Sequence, residues 1–211
     1  MLPQADENRQ YFDPTELALE LTTESERTKL GVPLRLSWKV TNHTNLPILV
    51  PADLRIEAQH VQIAVVGPSG TVRPMPSFVI RTDPGTLTPL APGESRQGET
   101  SLFWSSKGFA FEQPGRHRIE VHLIWATGNV RYGVQASTDI WVDYPTSESD
   151  NQVAATLLHP EVGKFVALGG APHLEQGVAR INEVLAKNPE HPATRFLMAL
   201  PGHKGSKARK E

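Results

Sequence analysis

Two segments of opposite parity constrain this chain more than anything else in it. Ile119, Val121, Leu123 and Trp125 are apolar on odd numbers; Tyr132, Val134, Ala136, Ile140 and Val142 are apolar on even ones. A two-residue turn at Gly128-Asn129 makes odd positions face even ones, so both apolar rows fall on one side of a long hairpin. The outer face is then fixed too. Arg116 lies opposite Trp141, Arg118 opposite Asp139, Glu120 opposite Ser137 and His122 opposite Gln135. Trp141 is the one large aromatic on the polar parity. Coverage by the following helices, or stacking by Arg116, is expected there.

The same period recurs upstream. Leu17, Leu19 and Leu21 alternate with polar or small neighbours, and Leu34, Leu36, Trp38 and Val40 do so more clearly. Ile48 to Val50 makes a short strand stopped by Pro51. Val61, Ile63 and Val65 form another row ending at Gly67-Pro68-Ser69-Gly70, a turn that should set Val65 opposite Val72. A further strand is expected at Leu102 to Trp104. Between Arg73 and Pro92 stand five prolines (74, 76, 84, 89 and 92), so this stretch reads as loop with at most an edge strand near Ser77 to Arg81. Seven or so short strands separated by Gly/Pro turns predict a mostly β chain, an antiparallel sandwich, with an open barrel as the alternative.

Past Pro145 the pattern changes. Thr146-Ser-Glu-Ser-Asp150 reads as a linker in which Asp150 caps a helix starting near Asn151. Leu174, Val178, Ile181 and Leu185 fall on one face of a later helix, Asn188-Pro189 ends it, and Pro192 suits the first turn of a last one. The expected organisation is a lead-in over 1–15, a β domain over 16–145, a linker over 146–150, helices over 151–201 and a basic tail over 202–211. The helices are too few to bury their own apolar row and should dock on the β domain.

Three runs carry a resemblance. Leu30-Gly-Val-Pro-Leu-Arg-Leu-Ser-Trp-Lys-Val-Thr-Asn42 resembles the second strand of bacterial immunoglobulin-like domains. Leu90-Ala-Pro-Gly-Glu-Ser95 is similar to a turn those domains carry, and Pro114-Gly115 through Val121 is similar to their Pro-Gly-x-Tyr-x-Val corner, with His117 in place of Tyr. The resemblance implies an immunoglobulin-like β-sandwich. The helices around Asn188-Pro189-Glu190-His191-Pro192-Ala193 resemble a tetratricopeptide-type helix pair. The sandwich architecture hosts many roles and names none of them.

A search for chemistry returns no catalytic, cofactor or metal residues. There is no cysteine, which removes disulfides, thiolate metal sites and a cysteine nucleophile together. The eight histidines show neither His-x-His nor His-x-x-x-His spacing, and no Gly-x-Ser-x-Gly elbow exists. With a formal net charge of −2 there is no basic field to draw nucleic acid, which is not expected as a partner. No apolar run approaches the ~20 residues that span a bilayer. The compartment follows from the start of the gene product: exported or periplasmic if a signal segment was removed, cytoplasmic otherwise.

What remains is a non-enzymatic binding or scaffolding protein with a protein partner, expected in the bacterial cell envelope. Its candidate interface residues are Trp141, Arg116, Phe78 and Val79. Trp38, His117, Trp125 and Tyr132 are expected to be structural. The alternative is a hydrolase-inhibitor or accessory module acting through the proline-rich loop 73–92.

Overall fold

A computed structural model describes residues 9–83 and 85–200 of the chain; the start of the lead-in and the basic tail lie outside the described residues. In chain order the strands are β1 (Arg9–Tyr11), β2 (Leu17–Thr23), β3 (Arg27–Lys29), β4 (Leu34–Asn42), β5 (Ile48–Pro51), β6 (Val61–Val66) and β7 (Val72–Pro74). They continue with β8 (Leu87–Leu90), β9 (Ser95–Leu102), β10 (Trp104–Ser105), β11 (Gly108–Phe109), β12 (Gly115–Thr127) and β13 (Val130–Asp143). Four helices follow, α1 (Glu148–Leu157), α2 (Pro160–Ala167), α3 (Glu175–Lys187) and α4 (Pro192–Ala199). The chain is mostly β with a helical end.

The larger sheet runs β1-β13-β12-β6-β7, with β3 also on β13; a second sheet runs β2-β4-β9. Both bury their apolar rows in one cluster holding Leu17, Leu36, Trp38, Val40, Ile63, Val65, Ile119, Val121, Leu123, Val134 and Val142. The hairpin register is the one the alternation requires: Thr127 faces Val130, Arg118 faces Asp139 and Arg116 faces Trp141. Strands β6 and β7 pair one residue away from expectation, Val66 facing Val72, because Gly67 N–H closes on the Thr71 carbonyl at 2.9 Å and widens the turn.

Parts of the lead-in and of the polar stretch before Lys29 are strands. β1 and β3 pair parallel to β13, so the larger sheet is mixed where an antiparallel one was expected. Neither has an alternating row, and the ladder on β13 supplies what their sequences do not. Phe12, just past β1, stacks on Trp125 and Tyr132 at centroid distances of 5.9 and 5.6 Å. Ser77 to Arg81, read as loop or at most an edge strand, forms no strand. Leu87–Leu90 pairs with β5 instead, and β9 ends at Leu102 before Trp104 begins the short β10–β11 pair.

Ser147, and not Asp150, caps α1: its hydroxyl accepts from the Asp150 N–H at 3.0 Å. The helix therefore begins inside the expected linker. α2 and α4 start alike, with His159 and His191 as caps, each ring accepting from the N–H two residues on, and proline in the first turn. The helices are docked on the β part. Phe103 and Phe109 share a second buried cluster with Val153, Leu157, Phe165, Ile181 and Leu197, and Val32 and Trp104 pack against it. Trp104 lies so close to α2 that a Cβ at Gly163 would fall 2.3 Å from its ring.

Candidate functional site

Three exposed apolar residues stand in succession after β7. Met75 is buried and its N–H donates to the Ile63 carbonyl at 2.8 Å; six residues on, the Arg81 N–H donates to Glu57 O at 2.9 Å. Gln59 Nε2 donates to Arg81 O at 2.9 Å, and the Arg81 guanidinium meets Asp53 at 3.1 Å. Asp53 also takes two guanidinium nitrogens of Arg55, whose hydrogen bonds pull its carboxyl down to about 2. Between these anchors Pro76 offers no N–H, and the chain arches without regular structure. Phe78, Val79 and Ile80 are 41%, 51% and 59% exposed along the arch.

Two clefts flank it. One, of about 210 Å³, lies between the arch, the end of β9 and α2, and is lined by Met75, Phe78, Ser101, Trp104 and Val166. The other, of about 290 Å³, is lined by Ile56, Val61, Ile63, Met75 and Ile80. The Phe78 ring leans on Trp104 with centroids 5.4 Å apart, and Trp104 in turn leans on α2. The arch thus rests on the junction of the sheets and the helices.

The other two candidate interface residues sit at the opposite edge of the larger sheet. Trp141 is 43% exposed, and the helices do not cover it; they pack around β10 and β11 instead. Arg27 of β3, not Arg116, lies over its ring at 6.0 Å from the centroid. Arg116 turns to Asp139 at 2.7 Å, with Arg118 on the other carboxylate oxygen at 3.4 Å. Asp143 is held by Arg27.

Trp38 lies at the centre of β4, almost fully buried, and its Nε1–H has no hydrogen-bond partner among the described residues. Trp125 and Tyr132 face each other across the hairpin under Phe12. His117 is 3% exposed, its Nδ1–H donates to Gly115 O at 3.1 Å, and Phe111 meets its ring edge-on. Burial, helped by the nearby Arg73 charge, pushes the His117 imidazole below its ordinary range and keeps it neutral.

One buried polar cluster was not anticipated. Asp150 accepts from Lys29 Nζ at 2.7 Å, from His191 Nε2 at 3.1 Å and from both Thr146 donors, tying β3 to the caps of α1 and α4. The Lys29 ammonium holds the Asp150 carboxyl well below the usual range. His191 uses its other nitrogen to accept from Ala193 N–H, so the cluster fixes the helix starts. No sequence spacing links Lys29, Asp150 and His191. Among the described residues no group of three or more His, Asp or Glu side chains is placed to hold a metal, and no helix is long and apolar enough to cross a membrane.

No protein-family model matches the chain, and no curated protein matches it in sequence. Solved structures show distant likeness. The Pseudomonas fluorescens alkylpurine DNA glycosylase AlkC, bound to DNA containing an abasic site analog, matches at 15% identity and a TM-score of 0.36, over 61% of this chain and 30% of that one. A β-glucosidase from Listeria innocua in complex with glucose matches at 17% identity and a TM-score of 0.32, over 60% and 16%. A β-glucosidase from Erythrobacter marinus matches at 20% and 0.35, over 61% and 16%. The matched part spans less than a third of each of these proteins. Likeness at these scores carries no argument about fold or activity.

Proposed function

We propose that the chain is a non-enzymatic binding module that holds a protein partner through the arch Pro76–Ile80, carried on an immunoglobulin-like β-sandwich. One observation carries this. Three consecutive large apolar side chains are exposed on a segment that is anchored at both ends, where a purely structural loop would turn them inward or carry polar residues. Rigid anchoring favours binding, since little conformational freedom is left to lose on contact. The net charge of −2 supports a protein partner over nucleic acid. A place in the bacterial cell envelope rests on the resemblance of the three sequence runs alone.

Cross-linking followed by mass spectrometry tests the surface. Neighbours captured by the wild-type chain should disappear with Phe78→Ser/Val79→Ser/Ile80→Ser and persist with Trp141→Ala. Capture that survives the triple change and fails with Trp141→Ala would move the interface to the other edge of the sheet. A second reading has its own support: a proline-rich loop, 73–92, presented as a braced extended arch suits insertion into a hydrolase cleft. Inhibition of a hydrolase panel by the wild type but not by the triple variant would select it.

A further inference from the structure

We propose that the free edge of β9 and the cleft beneath Phe78 form one continuous groove that takes an extended peptide segment of the partner as an added strand. The inference rests on the arch being a contact surface and says what chemistry it contacts.

The pairing of β4 decides which way the β9 backbone points. His43 N–H bonds to Glu16 O and Glu24 N–H to Arg35 O, so odd-numbered residues of β4 turn their polar groups to β2. Asn42 N–H bonds to Glu94 O, so even-numbered ones turn to β9. On β9 the even residues therefore face β4, and the amides and carbonyls of Ser95, Gln97, Glu99 and Ser101 face outward. None of these groups has a hydrogen-bond partner among the described residues.

Among the described residues the other sheet edges are shorter or flanked. β2 and the stretch 134–140 of β13 lie beside each other without a ladder, and β1 and β3 take the rest of that edge of β13. β5 and β8 have four residues each, and β7 has three ending in Pro74. Natural sheets blunt open edges with lysine, proline, a bulge or an inward-pointing charge. β9 has neither lysine nor proline across eight residues, and its pairing with β4 is unbroken from Leu102 to Ser95. Its one inward charge, Arg96, is tied within the fold to the Pro51 carbonyl at 2.7 Å. The outward stretch from Ser95 to Ser101 offers ~23 Å of strand at ~3.3 Å per residue, enough for about seven peptide residues.

The groove does not stop there. Ser101 also lines the cleft of about 210 Å³ with Met75, Phe78, Trp104 and Val166. A peptide laid on β9 has its next side chain directed at an apolar recess. The fitting ligand is an extended segment with N–H groups intact at alternate positions, one large apolar side chain at the cleft end, and a basic residue opposite Glu99. A second copy of this chain fits less well. Pairing β9 with itself about Gly98 would bring the polar turn Ala91–Glu94 of the other copy to the apolar cleft, and one strand edge is far below the ~1,200 Å² of a stable interface.

The probe is a displayed library of random twelve-residue peptides selected on the full chain. Binders should lose about tenfold or more in affinity for Gln97→Pro, which deletes only an outward N–H and places a ring in the groove. Circular dichroism should report an unchanged fold. If that variant fails to fold, backbone N-methylation of a selected peptide replaces it: one alternate set of nitrogens should abolish binding and the other leave it within about twofold. Absence of any enriched peptide, or binding indifferent to both changes, overturns the groove. Binders lost with the triple arch variant but kept with Gln97→Pro would uphold the arch and sink the groove; the reverse would sink the arch. Concentration-dependent dimers in light scattering, abolished by Gln97→Pro, would assign the edge to a second copy instead.

Discussion

The β12–β13 hairpin and the Pro76–Ile80 arch are both rich in large apolar residues, and they use them in opposite ways. In the hairpin every backbone group has a ladder partner or a defined outward direction, so parity alone decides which side chains are buried, and Ile119, Val121, Leu123, Val134 and Val142 all are. In the arch the prolines remove donors, no ladder forms, and three apolar residues in sequence stand exposed. Apolar residues report burial only where the backbone is already satisfied. The contrast makes a graded claim: substitutions in the ladder region should cost stability, and those in the arch should not.

The largest effect is expected at Trp38, in the second sheet but bound by the same logic. Its side chain is closed in by both sheets, so Trp38→Ala should cost ~3–5 kcal/mol in urea unfolding. A loss below ~1 kcal/mol would mean that the core collapses around the gap and that the row on β4 is not what holds the sheets together.

Next in size is Gly98, across from Trp38 on β9. A Cβ there would fall 2.5 Å from Trp38 Nε1 and 2.6 Å from the Leu54 carbonyl, so the indole reaches under the strand only because this residue has none. Gly98→Val should destabilise by ~1–3 kcal/mol as an overpacked site. Thermal unfolding that is unchanged would show the Leu54 segment free to yield, and would weaken the claim that β9 presents a rigid edge.

Legibility in the sequence follows the same division. Hairpin register, the Trp38 row, the apolar face of α3 and the docking of the helices could be read because each depends on a period of two or of 3.6. β1 and β3 could not. They are three residues long and owe their conformation to β13, a distant partner that no local pattern encodes. Ser77–Arg81 reads as loop with at most an edge strand, because Phe78, Val79 and Ile80 are good strand residues set behind Pro74 and Pro76, and it forms no strand. Trp141 was expected under the helices because they begin close by in sequence. The buried row of α2 leads instead to Phe103, Trp104 and Phe109, and Arg27 meets Trp141. The Lys29–Asp150–His191 cluster joins three elements by geometry alone.

A pH series separates the hairpin's corner from its ladder. His117 has its pKa lowered by burial, so the unfolded chain takes up a proton more readily than the folded one as pH falls. Its contribution is full above the unfolded value near 6.5 and should be lost as pH drops from there through the folded value. His117→Tyr, which replaces the imidazole with a ring that does not titrate in this range, should unfold with a flatter dependence below pH ~6.5 and little change at pH ~8. Parallel curves for the two proteins at all pH values would show that the imidazole is not buried neutral, and that the corner is open to water.

The smallest effect is predicted for the arch. Phe78→Ser/Val79→Ser/Ile80→Ser removes three large apolar side chains, a change that in the hairpin would unfold the protein. Here two of the three have more than half their surface in water, and the backbone anchors at Met75 and Arg81 do not involve them. Val79 and Ile80 should therefore contribute within about ±0.5 kcal/mol each. Phe78 has one ring contact to lose, its tilted stack on Trp104. Single substitutions should rank accordingly, Phe78→Ser above Val79→Ser and Ile80→Ser in urea midpoints. A measurable loss confined to Phe78→Ser would assign that ring to bracing Trp104 against α2 and leave Val79 and Ile80 as the free contact surface. Losses of ~2 kcal/mol or more at Val79 or Ile80 would mean the arch is packed in solution, and the comparison with the hairpin would fail at its weaker end.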